Sequence, residues 1–404
     1  MSDLHTSRAA TGTGDRSRPR AALPALCATQ ITSWGIVYYA FPVLNARITA
    51  DTGWSTTATT GAFSGALVVS ALAGIPLGRI LDRRGPRAVM TAGSLLGVAA
   101  ILAIAYAPNL ALFSAAWLAA GVAMAATFYQ PAFAALTRWW GEDRVRALTI
   151  VTLAGGLAST AFAPLTATLA EHLSWRSTYA VLALILAAVT LPAHAFALRA
   201  PWPPPAPPHP TQQMDGNKSV TRSRPFLMLA AAFTLNGFAM YAVVIALVPL
   251  LTERGAGPTA AAWALGLGGA GQTLGRTLYA TLARRTGVTT RTVTLIAAGG
   301  ATTAALAAVP GPYSLLVLLS LLAGMVRGNL TLLQATAVTD RWGATHYGTL
   351  SALLAAPATI AGALAPFAGA ALAGPLGGYP HLFALLAAVS GTAALLALGT
   401  RSRC

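Results

Sequence analysis

Long apolar runs separated by short polar breaks dominate the chain. They cover about residues 22–47, 58–79, 88–106, 109–136, 145–170 and 177–198, then 225–251, 260–283, 292–309, 312–337, 347–373 and 379–399. Most come near or exceed the roughly 20 residues a helix needs to cross the hydrocarbon of a bilayer. The pattern predicts an all-α membrane protein of twelve transmembrane helices, six on each side of a polar interruption. That interruption, 199–224, opens Arg-Ala-Pro-Trp-Pro-Pro-Pro-Ala-Pro-Pro-His-Pro and runs on through Asp215, Lys218, Arg222 and Arg224. Clustered prolines bar a helix and favour an extended, solvated chain, so it reads as a linker. Residues 1–20 are small, polar and arginine-bearing, without the apolar core of a signal peptide. The expected organisation is a tail over 1–20, a six-helix bundle over 21–199, a proline-rich linker over 200–224 and a second bundle over 225–400.

The halves are repeats. Moving the sequence by 202 residues sets Ala280 to Gly287 on Gly78 to Gly85, Thr234 on Thr32, Gly237 on Gly35, Tyr241 on Tyr39 and Ala365-Pro366 on Ala163-Pro164. A slip of one more residue sets Arg341-Trp342 on Arg138-Trp139. Long-period duplication of apolar segments points to a transporter of two pseudo-symmetric bundles, with substrate handled between them near mid-membrane.

Composition agrees. With 55% hydrophobic and 9% charged residues, the chain lacks the polar surface a soluble globule of 404 residues would need. The net charge of +16 sits in arginines of short loops and tails rather than on one basic face, which turns the reading from nucleic acid to membrane orientation. With twelve spans, Arg79 to Arg87, Arg138, Arg144, Arg146, Arg199, Arg284, Arg285, Arg291 and Arg341 fall on one side, and Arg47, Arg176 and Arg254 on the other. The positive-inside rule makes the first side, both termini and the linker cytoplasmic. Cys27 and Cys404 form no disulfide framework or metal cluster, and no metal or cofactor is expected.

Between the second and third runs lies Gly78-x-x-x-Asp82-Arg83-x-Gly85-x-Arg87. A charged turn between spans needs glycine, proline and arginine in any case. The full spacing nevertheless resembles the loop signature of the major facilitator superfamily. That resemblance implies the two-bundle fold and a breakable charge network closing the cytoplasmic side, with Asp82 as the acid and Arg138 as its candidate partner. The second copy has Arg284 where the acid belongs and Ala280 for the first glycine, so its network is expected to be weak or absent. In the fifth span, Ala163-Pro164 is similar only in part to the glycine-proline signature of drug-proton antiporters, and small residues for close packing suffice there.

All ten acids lie in tails, loops or span ends. The cations inside spans are Arg276 and Arg327, with His194 toward the cytoplasmic end of the sixth span in an expected packing role. Ionisable groups in hydrocarbon are costly and are functional candidates by default. Two guanidiniums without a nearby carboxylate need an anion, water or backbone carbonyls, and a substrate carboxylate fits a planar guanidinium through two parallel bonds. Arg276 is the stronger candidate; Gly328 and Asn329 beside Arg327 suggest backbone carbonyls as that residue's acceptors. An arginine in this place, with Asp51-Thr-Gly-Trp54-Ser55 and Ser174-Trp175-Arg176, resembles the monocarboxylate transporter and oxalate:formate antiporter branch. There the arginine is taken to hold the substrate carboxylate and an acid lies one turn before it. Here that position is Gln272, which cannot titrate, so proton symport by that route is not expected.

Trp34, Tyr38, Tyr39, Tyr129, Gln130, Asn236 and Tyr241 lie at depths suited to completing a pocket, and each suits an interfacial belt or inter-helix bond equally well. The resulting expectation is a monomeric cell-membrane transporter of a small organic anion, above all a monocarboxylate, working by alternating access. Efflux of a hydrophobic compound or drug is the alternative, and a transport-dead sensor a further one. No Ser, Cys or metal-ligand constellation with catalytic spacing points to an enzyme.

Overall fold

A computed structural model describes residues 19–202, 220–342 and 347–400. The expected tail, most of the linker, the carboxy terminus and positions 343–346 lie outside the described residues. The first apolar run is three consecutive pieces: α1 (Ala22–Ser33), a π-helical turn (Trp34–Tyr39) and α2 (Ala40–Thr52). Then come α3 (Thr56–Arg84), α4 (Pro86–Ala105), α5 (Leu110–Thr127), α6 (Tyr129–Trp140), α7 (Arg144–Gly156), α8 (Ala158–His172) and α9 (Trp175–Pro192). The second half holds α10 (Arg224–Glu253), α11 (Pro258–Arg285), α12 (Val288–Ala308), α13 (Tyr313–Thr336), the short α14 (Thr339–Trp342), α15 (Tyr347–Ala373) and α16 (Tyr379–Leu398).

Among the described residues, nine helical stretches are long and apolar enough to cross a bilayer. Three expected spans are not among them. The first carries Thr29, Gln30, Thr32, Ser33, Asn45 and Arg47; α11 carries Arg276, Arg284 and Arg285; α12 carries Arg291 and many threonines. Side-chain oxygens start several helices: Ser55, Asn109 and Ser174 accept from the amides of Ala58, Leu112 and Ser177. Between α3 and α4 the chain turns at Gly85, φ +78°, a left-handed value that glycine adopts without penalty, and Pro86 opens the next helix.

Packing repeats as the sequence does. In the first half α3 lies on α5 and α4 on α9; in the second, α11 lies on α13 and α12 on α16. The halves meet along two seams, α7 and α8 against α11, and α3 against α15, each related to the other by the repeat. The α11–α13 pair is drawn to backbone contact by glycines: a Cβ at Gly324 would strike the backbone of Gly268, and one at Gly271, Gly275 or Gly328 would likewise strike the opposing backbone. Where lipid replaces water, close van der Waals packing of this kind is what holds helices together. In the first half the outer core is aromatic, with Phe41 stacked on Phe63 at 4.6 Å and Trp117 edge-on to both.

Candidate functional site

The site starts from two interruptions in the helices. Pro131 has no N–H to give the carbonyl of Thr127 one turn earlier, and the chain breaks at Phe128, ψ −158°. The freed carbonyl takes a bond from the Gln30 side chain, Nε2 to O 2.7 Å, so α1 supplies what the proline withholds. Opposite the break, the π turn gathers Trp34, Tyr38 and Tyr39. Trp34 stacks on Phe128 at 4.1 Å and lies 5.3 Å from Tyr129; Tyr38 and Tyr39 meet edge to face at 5.0 Å. π turns are frequent at functional sites, and this one faces a broken helix.

Between the halves lies a cavity of about 240 Å³. Rings supply much of its wall: Trp34, Tyr38, Phe128, Phe233 and Tyr241. Its polar groups, Ser70, Gln130, Gln334, Ser351 and Thr359, are all neutral. Of the residues expected to line a pocket, Trp34, Tyr38, Gln130 and Tyr241 are on this wall, while Tyr39, Tyr129, Asn236, Gln272, Arg276 and Arg327 are not. Asn236 and Arg327 border a smaller void of about 50 Å³ inside the second half.

Both arginines have protein acceptors, and the expected division between them is reversed. Arg276, 7% exposed, donates from Nη1 to the Thr152 carbonyl across the α7–α11 seam. Arg327 donates from Nε to Oε1 of Gln272 at 3.2 Å; the expected carbonyl acceptors hold Arg276 instead. Neither is saturated: Arg276 Nε and Arg327 Nη2 are buried without a partner. A side chain at Gly155 would collide with the Tyr129 hydroxyl, and one at the adjacent Gly156 would collide with Thr273 and crowd Arg276. Tyr38 and Tyr241 on the cavity wall both stand in the field of Arg327. The result is a hub of two guanidiniums ringed by phenols, one layer from an aromatic cavity, with no acid among the described residues at this depth.

The loop network is built as a clamp. Arg138 reaches the Asp82 carboxylate at 3.3 Å and the Asp82 carbonyl at 3.0 Å, so it both pairs the acid and caps the last turn of α3. Trp202 joins it, donating from Nε1 to the same carbonyl at 3.0 Å, lying 4.5 Å from the Arg138 guanidinium and packing over Gly85. Trp139 donates in turn to the Pro201 carbonyl at 3.1 Å. Arg87 bonds the Ala195 carbonyl at 2.9 Å; Arg83 is exposed, and nothing crowds Gly78.

The weak network expected in the second half is corrected. Arg291 Nη2 meets Asp340 at 2.5 Å with its side chain 5% exposed, against 21% for Arg138. Its Nη1 also takes the carbonyls of Ala283 and Thr286, closing the end of α11. Beside it, burial pulls Arg341 down to about 10 while its Nη2 donates to Thr292. The acid comes not from position 284 but from the far side of the α13–α14 connection, so matching the loop alone misses it. On the opposite side the two tryptophan-bearing motifs meet: Trp175 donates to Asp51 at 2.8 Å, and Arg176 stacks on Trp175 at 4.3 Å while bonding the Ala105 carbonyl. His194 is buried with Nδ1 2.7 Å from Ser94 Oγ, away from the cavity. Gln30, Phe128, Phe233 and Gln334 were not singled out from sequence; amides inside apolar runs, and Pro131 within one, were the available signals.

The family profile of the Major Facilitator Superfamily matches residues 26–312 and 227–403. Monocarboxylate transporter 13 of Bos taurus is 32% identical over 212 residues, 50% of this chain and 47% of that protein. Monocarboxylate transporter 11 of Homo sapiens is 31% identical over 194 residues, 46% and 40%. An uncharacterized transporter of the same superfamily, YcxA of Bacillus subtilis (strain 168), is 29% identical over 126 residues, 31% of each chain. The chain thus spans half or less of the length of the curated relatives it matches. Among solved structures, the nucleoside transporter NupG (D323A mutant) superposes with a TM-score of 0.73 at 14% identity, over 95% of this chain and 100% of that one. A bacterial homolog of the human lysosomal transporter Spinster gives 0.70 at 15%, over 96% and 98%. At such identities the likeness is one of fold.

Proposed function

The chain belongs to the Major Facilitator Superfamily and is a multi-pass membrane transporter rather than an enzyme; from that premise we propose that its substrate is an organic anion, above all a monocarboxylate, moved by alternating access. One observation carries the reading. Buried Arg276 and half-buried Arg327 each keep a buried, unpartnered N–H group, among tyrosine hydroxyls and away from any described carboxylate. Breaking a buried charge from its partners is expensive, so protein acceptors hold each arginine in part, and an arriving carboxylate completes the set. The relatives named monocarboxylate transporters support the same class. Gln272 takes the place of the acid beside the arginine and holds Arg327, which favours exchange or facilitated movement over proton symport. We place the protein in the cell membrane as a monomer, with its termini on the arginine-rich cytoplasmic side.

One observation favours the second reading, efflux of a neutral hydrophobic compound: the cavity wall itself is aromatic and uncharged. A thermal-shift screen of the purified protein against carboxylates, amines and neutral drugs separates the two, because ligands of the native state raise its apparent stability. Shifts confined to carboxylates are expected; shifts from amines or neutral drugs, with none from carboxylates, overturn the anion reading.

A further inference from the structure

The cavity and the arginine hub are adjacent but chemically unlike, and a ligand that uses both must be unlike at its two ends. The hub is cationic and small. The cavity, at about 240 Å³, is far larger than a two- or three-carbon acid needs, and five of its lining side chains are rings. A carboxylate held at the hub with nothing behind it would leave that wall facing trapped water, although aromatic surface gains most when it is covered by another apolar body. Two ring systems are also fixed in place rather than free to collapse inward. Trp34 is pinned by its stack on Phe128, which the Pro131 break and the Gln30 bond hold in position. Tyr241 lies against Gly362, where no side chain separates α10 from α15. The wall is therefore a preformed slot for a flat apolar group, and preformed apolar slots with a few convergent polar groups are the usual shape of small-molecule sites.

Resting on the anion reading above, we propose that the substrate is a monocarboxylate carrying a planar aromatic group, its ring seated among Trp34, Phe128, Phe233 and Tyr241 and its carboxylate directed toward Arg276 and Arg327. Tyr38 and Tyr241 belong to the cavity wall and stand in the field of Arg327, so their hydroxyls offer the carboxylate its route from one region to the other. Gln130, Gln334 and Ser351, neutral groups on the same wall, accommodate a polar ring substituent without requiring one.

The test uses the full-length purified protein and four probes of matched build: phenylacetate, cyclohexylacetate, acetate and phenylacetamide. Binding is read by calorimetry. Phenylacetate is expected to bind roughly tenfold or more tighter than acetate and than phenylacetamide, with cyclohexylacetate between. Phe233→Leu, which keeps an apolar group of similar bulk, is expected to weaken phenylacetate by roughly fivefold. Phe233→Ala repeats the measurement if elution shows it folded. Equal binding of acetate and phenylacetate, both lost in Arg276→Ala, overturns the aromatic assignment and leaves the anion reading intact. Equal binding of phenylacetamide and phenylacetate, both indifferent to Arg276→Ala, overturns the anion reading and this inference together. Cyclohexylacetate binding as tightly as phenylacetate overturns the aromatic assignment in favour of mere bulk. Failure of all four probes to bind overturns it outright.

Discussion

At the scale of single residues, Arg276, Arg327 and Gln272 form one system, and each makes a separable prediction. Arg276 holds the Thr152 carbonyl through Nη1, and its Nε is buried without a partner. Lysine in its place preserves the charge but not the fork, so Arg276→Lys and Arg276→Ala are both expected to lose about 2 kcal/mol or more of anion binding. Calorimetry with an anion found in the screen checks this, and wild-type affinity in Arg276→Ala contradicts it. Gln272→Glu keeps the reach to Arg327 Nε but adds an acid. Ionised, it pairs with Arg327 and repels a substrate anion; protonated, it does neither, so uptake by this variant rises as pH falls while the wild type stays nearly flat. An equally flat profile in Gln272→Glu removes Gln272 from the site. The two arginines were legible because a cation inside an apolar run is rare. Their acceptors were not, because Thr152 contributes a carbonyl, which every residue has, and only the fold brings that one across the seam.

At the scale of elements, the broken helices and the two clamps follow from a few residues each. Gln30→Leu strands the Thr127 carbonyl in a site without water. It is expected to destabilise the protein by about 1–3 kcal/mol, seen as a lower melting midpoint. Pro131→Ala restores the missing N–H and largely relieves that cost in the double variant, whereas additive losses contradict the account of the break. For the clamps, exposure sets the order. Asp82 is mostly solvated, 65% exposed, so its pair contributes little to stability and Asp82→Asn is expected to slow transport while leaving the melt unchanged. Arg291 is buried, so Arg291→Gln leaves Asp340 and two helix-end carbonyls unserved, and is expected to lower stability by about 3 kcal/mol. A melting curve for each variant checks the contrast. The first clamp was legible because a loop motif marks its acid, Asp82, although its partner Arg138 lies 56 residues on. The second pair is 49 residues apart, and no motif marks its acid, Asp340.

At the scale of the whole molecule, the order of apolar runs and their repeat were legible because a bilayer requires every backbone group to be paired within its own helix. Which runs fall short as spans was not, since α11 and α12 give up apolar length for arginine, glycine and threonine used in packing and in the hub. The one-sided arginines make a topological prediction: reporter fusions after Arg87 and within 203–210 are expected to report cytoplasm, and an external signal from either overturns the orientation. The glycine contact between α11 and α13 has a consequence for how this gene tolerates change. Every base substitution that replaces a glycine adds at least a Cβ, and at Gly271, Gly275, Gly324 and Gly328 that atom meets backbone, which cannot step aside. At Gly287 and Gly391 it meets nothing. In a saturation library selected for membrane expression, the first four positions should stand out as a comb of invariant sites at helical intervals, and the other two should drift freely.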